Sequence, residues 1–92
     1  MQLEGTNFQI AVWEELLKIP IGETTTYKNI AIAIGKPNSS RAVANACAQN
    51  PYAPEVPCHR VIRSDGSLGG YSADGGIQRK KKLLAMESNL IK

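Results

Sequence analysis

The sequence predicts a small, mainly α-helical domain that contains a helix-turn-helix and one short β-hairpin. Apolar residues recur at helical spacing in several segments, and Asp65-Gly66 stands between two short β-like runs. The length of 92 residues suffices for one domain only. Hydrophobic residues make up 42% of the chain, which argues against disorder. We therefore expect residues 1–92 to fold around a single core.

The first helix is predicted from about Thr6 to Ile19. Thr6 and Gln9 have the spacing of a capping box, in which each side chain binds the other residue's backbone N–H. Pro20 and Gly22 are typical of a helix end. The apolar stripe of this helix consists of Phe8, Val12, Leu16 and Ile19.

The second helix is predicted from about Thr26 to Ile34. Thr25 or Thr26 can cap its start, and Gly35 suits the left-handed position after its end. A tight turn then leads to a third helix, which favours a helix-turn-helix.

The third helix, from about Ser39 to Gln49, stops before Asn50-Pro51. One of its faces carries only small side chains, namely Ala42, Ala44, Asn45 and Ala48. Either close helix packing or approach to a nucleic-acid groove explains this thin face.

The hairpin is predicted from two short runs, Arg60–Arg63 and Ser67–Gly70, with Asp65-Gly66 as a type I′ turn. The last helix begins at about Gly76. Its expected apolar face consists of Ile77, Leu83, Leu84, Leu90 and Ile91. Glu87 lies on that face and needs a partner, because an isolated buried charge is costly. The run Arg79-Lys80-Lys81-Lys82 predicts a solvated helix face.

Charge and composition exclude several classes of protein. The net charge of +3 and the isoelectric point near 9.0 are compatible with nucleic-acid binding. No apolar run approaches the ~20 residues of a membrane span, and we expect no secretory signal. Cys47 and Cys58 are too few for a disulfide framework, so we expect a reducing compartment and a core position for Cys47. We expect no metal, because the sequence holds no Cys/His cluster.

The most informative stretch is Pro57-Cys58-His59-Arg60-Val61-Ile62. A cysteine attacks as its thiolate, and an imidazole oriented by a carboxylate can accept the thiol proton. Cys58, His59 and Glu87 supply these groups. Neighbouring side chains of an extended segment point to opposite sides, so we expect a water between the thiol and the imidazole. The alternative is a small buried cysteine beside a core histidine.

Across residues 5–87 the chain resembles the DNA-binding, active-site domain of the O6-alkylguanine-DNA alkyltransferases, a winged-helix-like fold. The resemblance is most specific at Pro57–Ile62. Other matching motifs are Gly5-Thr6-x-Phe8-Gln9, Val12-Trp13, Ile19-Pro20-x-Gly22-x-Thr24, Ile34-Gly35-x-Pro37, Arg41-Ala42-Val43-Ala44, Asn50-Pro51, Gly66-x-Leu68-Gly69-Gly70-Tyr71 and Arg79-Lys80.

The resemblance implies the activity of a methylated-DNA–protein-cysteine S-methyltransferase. It implies that Cys58 accepts the alkyl group of O6-alkylguanine, or of O4-alkylthymine, once per molecule and without a cofactor. His59 would act as a water-mediated base held by Glu87. The Tyr27 hydroxyl would protonate the leaving guanine, and Asn50 would brace the turn beside the site. The implied substrate pocket consists of Val56, Pro57, Tyr71 and Ser72.

The family also flips the damaged nucleotide out of the duplex and binds the minor groove through the second helix of its helix-turn-helix. Arg41 matches the arginine that replaces the flipped nucleotide. The other implied DNA-binding residues are Thr26, Tyr27, Ala42, Ala44 and Asn45. We expect a monomer that binds double-stranded DNA without sequence preference and in a salt-sensitive way, and that binds no membrane. The expected compartment is the cytoplasm of a prokaryote or the nucleus of a eukaryote.

Three departures from the family qualify the resemblance. The N-terminal domain of many members is absent from residues 1–92, so we expect a single catalytic domain. Several members hold a metal through that missing domain. The loop from Tyr71 to Gly76 is longer than usual, which leaves the accepted size of the alkyl group open.

Two other classes of protein are alternatives. Alkyltransferase-like proteins share the scaffold and bind the lesion without repairing it, but they usually carry tryptophan where Cys58 stands. A helix-turn-helix regulator would leave Pro57–Ile62 and Glu87 without a role. It would also show more long polar side chains on its third helix.

Overall fold

Helices dominate the computed structural model, which describes residues 2–69 and 76–90. Over these ranges the elements are α1 (Asn7–Leu16), β1 (Thr25–Thr26), α2 (Tyr27–Ala33), α3 (Ser40–Ala48), a 3₁₀ turn (Cys58–Arg60), β2 (Val61–Ile62) and α4 (Gly76–Leu90). The prediction of a mainly helical domain is confirmed. None of the described helices is long and apolar enough to cross a bilayer.

The start of α1 has the predicted capping box. The Thr6 hydroxyl accepts a hydrogen bond from the Gln9 N–H at 3.0 Å, and the Gln9 amide oxygen accepts one from the Thr6 N–H at 2.9 Å. The helix ends at Leu16, earlier than predicted. Beyond it, the N–H groups of Lys18 and Ile19 donate to carbonyls three residues back, so the chain tightens into a turn.

The helix-turn-helix consists of α2 and α3, which pack against each other and against α1. Thr26 caps α2, because its hydroxyl accepts a hydrogen bond from the Asn29 N–H at 3.0 Å. Gly35 follows α2 with φ of +78°, which is the predicted left-handed geometry. The connection to α3 is therefore short, and its direction is set by a residue without a Cβ.

The core lies between α1, α3, α2 and the segment that contains the 3₁₀ turn. Trp13 links the first two, since its indole N–H donates to the Ala46 carbonyl at 3.0 Å. Its ring also meets Tyr52 edge to face, with the centroids 5.7 Å apart. Among the described residues, the apolar side chains with no exposed area are Val12, Leu16, Ala31, Val43, Val56 and Val61. Burial of these groups holds the 3₁₀ turn against the helices.

The sheet differs from the predicted hairpin. β2 pairs with β1 in parallel, with Thr25 opposite Val61 and Thr26 opposite Ile62. The predicted partner strand, Ser67–Gly70, is not formed over Ser67–Gly69, and Gly70 lies outside the described residues. The hairpin prediction was therefore wrong, because β1 supplies the hydrogen-bonding edge for β2.

The predicted type I′ turn was also wrong. A type I′ turn needs a positive φ at both central residues, and over the described residues only glycines have one. Gly66 has φ of +89°, whereas Asp65 does not have a positive φ. Instead, the Arg63 N–H donates to the Ser67 carbonyl at 2.9 Å, and the Gly66 N–H donates to the Arg63 carbonyl at 3.0 Å. These bonds close a three-residue turn, and no strand follows it over Ser67–Gly69.

α4 packs differently from its predicted pattern. Ile77 is exposed, and Leu83 and Leu84 are half-buried. The side chain of Leu90, together with Ile91, lies outside the described part. Lys80 has no exposed area, so the prediction of a fully solvated basic run was wrong. The reason is that its ammonium finds acceptors inside the fold, as described below.

Candidate active site

Cys58 begins the 3₁₀ turn and is buried, with 6% of its surface exposed. Its backbone N–H donates to the Val56 carbonyl at 2.8 Å. Burial raises the pKa of the Cys58 thiol, while a hydrogen bond from Asn50 and the charge of Lys80 act in the opposite direction. The thiol is therefore the resting form at neutral pH, and a reaction at sulfur needs a proton acceptor.

Asn50 spans the turn that leads into the site. Its side-chain N–H donates to the Val56 carbonyl at 2.8 Å, and its side-chain oxygen accepts a hydrogen bond from the Tyr52 N–H at 2.8 Å. These two bonds fix both ends of the turn relative to each other. Val56 and Pro57 are buried just before Cys58. The other two implied pocket residues, Tyr71 and Ser72, lie outside the described residues.

His59 contacts Glu87 as the sequence predicted. The distance between His59 Nε2 and Glu87 Oε2 is 2.8 Å, and 1% of the histidine is exposed. A carboxylate only accepts hydrogen bonds, so the neutral imidazole carries its proton on Nε2. The other nitrogen, Nδ1, is buried without a hydrogen-bond partner among the described residues. Burial lowers the pKa of His59, and the contact with Glu87 opposes this.

Arg60 is a member of the site that the sequence reasoning missed. Its Nε donates to Glu87 Oε1 at 2.8 Å, and its Nη2 donates to Glu87 Oε2 at 2.7 Å. Its Nη1 donates to the Ile19 carbonyl at 2.8 Å, so Arg60 links Glu87 of α4 to the turn that follows α1. Hydrogen bonds from Arg60, above all, lower the pKa of Glu87. The need of Glu87 for a partner was the one signal that could have pointed to Arg60.

Tyr27 is the first residue of α2 and follows directly after Thr26, which pairs with Ile62. The β1–β2 pairing therefore places the start of α2 beside the segment that carries Cys58. Tyr27 is half-buried, and burial raises its pKa to about 12, with further contributions from Cys47 and Cys58. Tyr27 is thus a protonated hydrogen-bond donor at neutral pH.

Lys80 is the second residue that the sequence reasoning missed. Its ammonium donates to the Val61 carbonyl at 2.7 Å and to the Leu68 carbonyl. It also lies 5.9 Å from the centroid of the Tyr27 ring. A buried positive charge therefore stands between β2, the segment after the turn and Tyr27. Burial lowers the pKa of Lys80, while Cys58 and Cys47 act to raise it.

The thin face of α3 points outward. Arg41, Ala42 and Asn45 are exposed, and Ala44 is half-buried. The bulkier residues Val43 and Cys47 point into the core together with Ala46, so the prediction of a core position for Cys47 is confirmed. Burial raises the pKa of the Cys47 thiol to about 12. The exposed small residues therefore leave a flat surface with one long cation near its start.

No group of three or more His, Cys, Asp or Glu side chains that could hold a metal ion occurs within residues 2–69 and 76–90. The candidate site consists of a thiol, an imidazole–carboxylate pair, a phenol, the buried ammonium of Lys80 and the largely buried guanidinium of Arg60. These groups can perform nucleophilic displacement with transfer of protons.

Comparison with known proteins points to a single family. Residues 7–89 match the family model described as 6-O-methylguanine DNA methyltransferase, DNA binding domain. The methylated-DNA–protein-cysteine methyltransferase of Methanosarcina barkeri is 55% identical over 86 residues, which cover 94% of this chain and 53% of that protein.

Two solved structures are similar in fold. Mycobacterium tuberculosis OGT in complex with DNA has a TM-score of 0.91 and 52% identity, over 96% of this chain and 53% of that one. S. pombe Atl1 in complex with damaged DNA containing O6-carboxymethylguanine has a TM-score of 0.80 and 33% identity, over 92% of this chain and 79% of that one. The chain spans about half the length of the M. barkeri and M. tuberculosis relatives.

Proposed function

The chain belongs to the family of 6-O-methylguanine DNA methyltransferases through its DNA-binding domain, and from this membership we propose that it repairs DNA by direct alkyl transfer. The acceptor is Cys58, and the substrate is O6-alkylguanine, with O4-alkylthymine as a second lesion. The observation that carries the proposal is the His59–Glu87 contact of 2.8 Å directly beside Cys58. It provides a proton acceptor for a thiol that burial keeps protonated.

The proposed reaction is a single displacement at the alkyl carbon. The Cys58 sulfur forms a bond to this carbon while the bond from carbon to O6 breaks, and the electron pair stays on guanine. The thiol proton passes to His59 Nδ1 through a bridging water. The Tyr27 hydroxyl gives a proton to the purine, so that guanine leaves uncharged. Because the thioether product is stable, each molecule reacts once.

Binding of the lesion is proposed to use α3. The exposed Ala42 and Asn45 leave room for close approach to the minor groove, and Ala44 lies at the edge of this surface. Arg41 takes the place of the nucleotide that rotates out of the duplex. Thr26 and Tyr27, at the start of α2, contact the DNA as well. Affinity comes from phosphates, so binding is independent of sequence and falls with salt.

The proposed reaction needs no cofactor, because every step uses a protein side chain or water. We propose that the protein acts as a monomer. As a repair protein of genomic DNA, it would act in the cytoplasm of a prokaryote or in the nucleus of a eukaryote.

The test is the intact mass of the protein after incubation with a duplex that holds one O6-methylguanine. We expect the wild type to gain one methyl group. Cys58→Ala should gain none, whereas Cys47→Ala, which removes the other thiol, should gain it as the wild type does. Binding of the lesion without a change in mass would contradict the proposal and indicate a lesion-binding protein. A methyl group that persists in Cys58→Ala would contradict the choice of acceptor.

A further inference from the structure

We propose that Arg60 is a positioning residue for the transfer reaction: by holding both oxygens of Glu87, it keeps the proton of His59 on Nε2 and leaves Nδ1 as the proton acceptor. The inference rests on the proposed function, since it concerns the base that serves Cys58. It adds a residue to which neither the motif nor the resemblance assigned a role.

The guanidinium of Arg60 meets the carboxylate of Glu87 with two bonds, Nε to Oε1 at 2.8 Å and Nη2 to Oε2 at 2.7 Å. Its third bond, Nη1 to the Ile19 carbonyl at 2.8 Å, anchors the guanidinium to the backbone after α1. A planar fork with three partners fixes the position and the plane of the carboxylate. A lysine ammonium could not supply the same set of bonds.

One oxygen of Glu87 is shared by two donors. Glu87 Oε2 accepts hydrogen bonds from Arg60 Nη2 at 2.7 Å and from His59 Nε2 at 2.8 Å. A carboxylate that is neutralised by a guanidinium attracts a proton less strongly than a free one. It therefore orients the Nε2–H bond without stabilising the imidazolium as an unpaired carboxylate would. The result is a neutral imidazole with a defined tautomer.

Among the described residues, three charged groups act on the imidazole. Glu87 from α4 favours the imidazolium, whereas Arg60 from the 3₁₀ turn and Lys80 from α4 disfavour it. Burial disfavours it most, and the pKa of His59 is lowered from its ordinary value. An imidazole that is neutral at pH 7 can take the Cys58 proton, and an imidazolium cannot. Arg60 therefore keeps the base in its active form.

The wild-type protein provides the first test. His59 is the only histidine, so the ¹⁵N signals of imidazole nitrogens come from one residue. We expect a neutral ring at pH 7 with hydrogen on Nε2 and none on Nδ1. An imidazolium at pH 7, or a proton on Nδ1, would overturn the proposal, and this test requires no substitution.

The second test compares Arg60→Gln with Lys18→Gln by the same spectra and by the pH dependence of methyl transfer. Loss of the guanidinium should raise the midpoint of His59 by about 1 pH unit and shift the acid limb of the transfer rate equally. Lys18→Gln removes an exposed charge next to Ile19 and should change neither.

A folded Arg60→Gln protein with the wild-type midpoint and tautomer would overturn the proposal, even if it melted earlier, because Arg60 would then be merely structural. If Arg60→Gln does not fold, Arg60→Met, whose long uncharged side chain fills the same space, takes its place in the comparison, and a wild-type midpoint and tautomer in that variant would overturn the proposal. Absence of methyl transfer from the wild type would contradict the proposed function, while the spectra would still judge the role of Arg60.

Discussion

The backbone of Gly69 lies directly against Tyr27. A Cβ built on Gly69 would stand 3.1 Å from the Tyr27 hydroxyl oxygen and 3.3 Å from Cε2 of its ring. Gly69 also has φ of +70°, a backbone conformation that L residues rarely adopt. The segment after the Asp65-Gly66 turn therefore limits the space around the Tyr27 hydroxyl.

Gly69→Ala should displace this hydroxyl and slow methyl transfer by about tenfold or more, since a misplaced proton donor loses part of its catalytic effect. Gly66→Ala is the matched control. It has φ of +89° and nothing within 4 Å of its Cβ, so it carries the backbone strain alone. Single-turnover rates and Tm values of both variants test this. Equal slowing in the two variants would contradict a specific effect on Tyr27.

Lys80→Met should lower the free energy of unfolding by about 1–3 kcal/mol, because the carbonyls of Val61 and Leu68 lose this buried donor. Lys81→Met, at the next and exposed position of α4, should leave stability nearly unchanged. Urea denaturation of both variants measures the difference. A Lys80→Met protein as stable as the wild type would show that the two bonds contribute little.

Without DNA, alkylation of Cys58 by iodoacetamide should be slow at pH 7 and should accelerate only at higher pH than for an ordinary exposed cysteine. The reason is that burial raises the pKa of the thiol, so that little thiolate exists at neutral pH. Asn50→Ala should shift the rise to still higher pH, since the Asn50 hydrogen bond lowers this pKa. Rates from peptide mass spectra test this, and a plateau at pH 7–8 would contradict it.

Stability should fall in acid through Glu87. The pKa of Glu87 is lowered in the folded state, first by Arg60 and then by His59, so its contribution is complete above the unfolded pKa of roughly 4.3. It is lost as the pH falls through the lower folded-state value. Unfolding free energies of wild type and Glu87→Gln should therefore differ at pH 7 and converge in acid. Glu14→Gln, an exposed change on α1, should show no such convergence.

Arg41→Ala should slow methyl transfer from duplex DNA by about tenfold or more, because unstacking the target nucleotide is worth a few kcal/mol. Transfer from free O6-methylguanine base needs no flipping and should change little. Single-turnover rates on the two substrates make the comparison. Equal losses would mean that Arg41 does not act in flipping.

The helix caps, which depend on residues close together in the sequence, were predicted correctly. The Thr6–Gln9 capping box and the left-handed Gly35 are set within one helical turn, and both have the expected geometry. The strand pairing was wrong because the edge that β2 uses belongs to Thr25–Thr26, far earlier in the chain. No local pattern around Asp65-Gly66 reports that distant edge.

The same distinction holds for the site. Cys58, His59 and Glu87 follow from the chemistry of residue types, and the structure brings the last two into contact. Arg60 and Lys80 were missed because a positively charged residue is expected at the protein surface. Their burial depends on carbonyl acceptors from other segments, which sequence periodicity does not reveal.

The pairing of Thr26 with Ile62 allows the position of Tyr27 and the length of the segment before α4 to evolve at different rates. It fixes where Tyr27 stands along the segment of Cys58, and both paired strands lie before residue 63 of the chain. Insertions on the way to α4, where the implied pocket residues Tyr71 and Ser72 lie, can alter which lesions are accepted. Changes of length in that segment can therefore broaden the proposed substrate range while the pairing that places Tyr27 beside the Cys58 segment is retained.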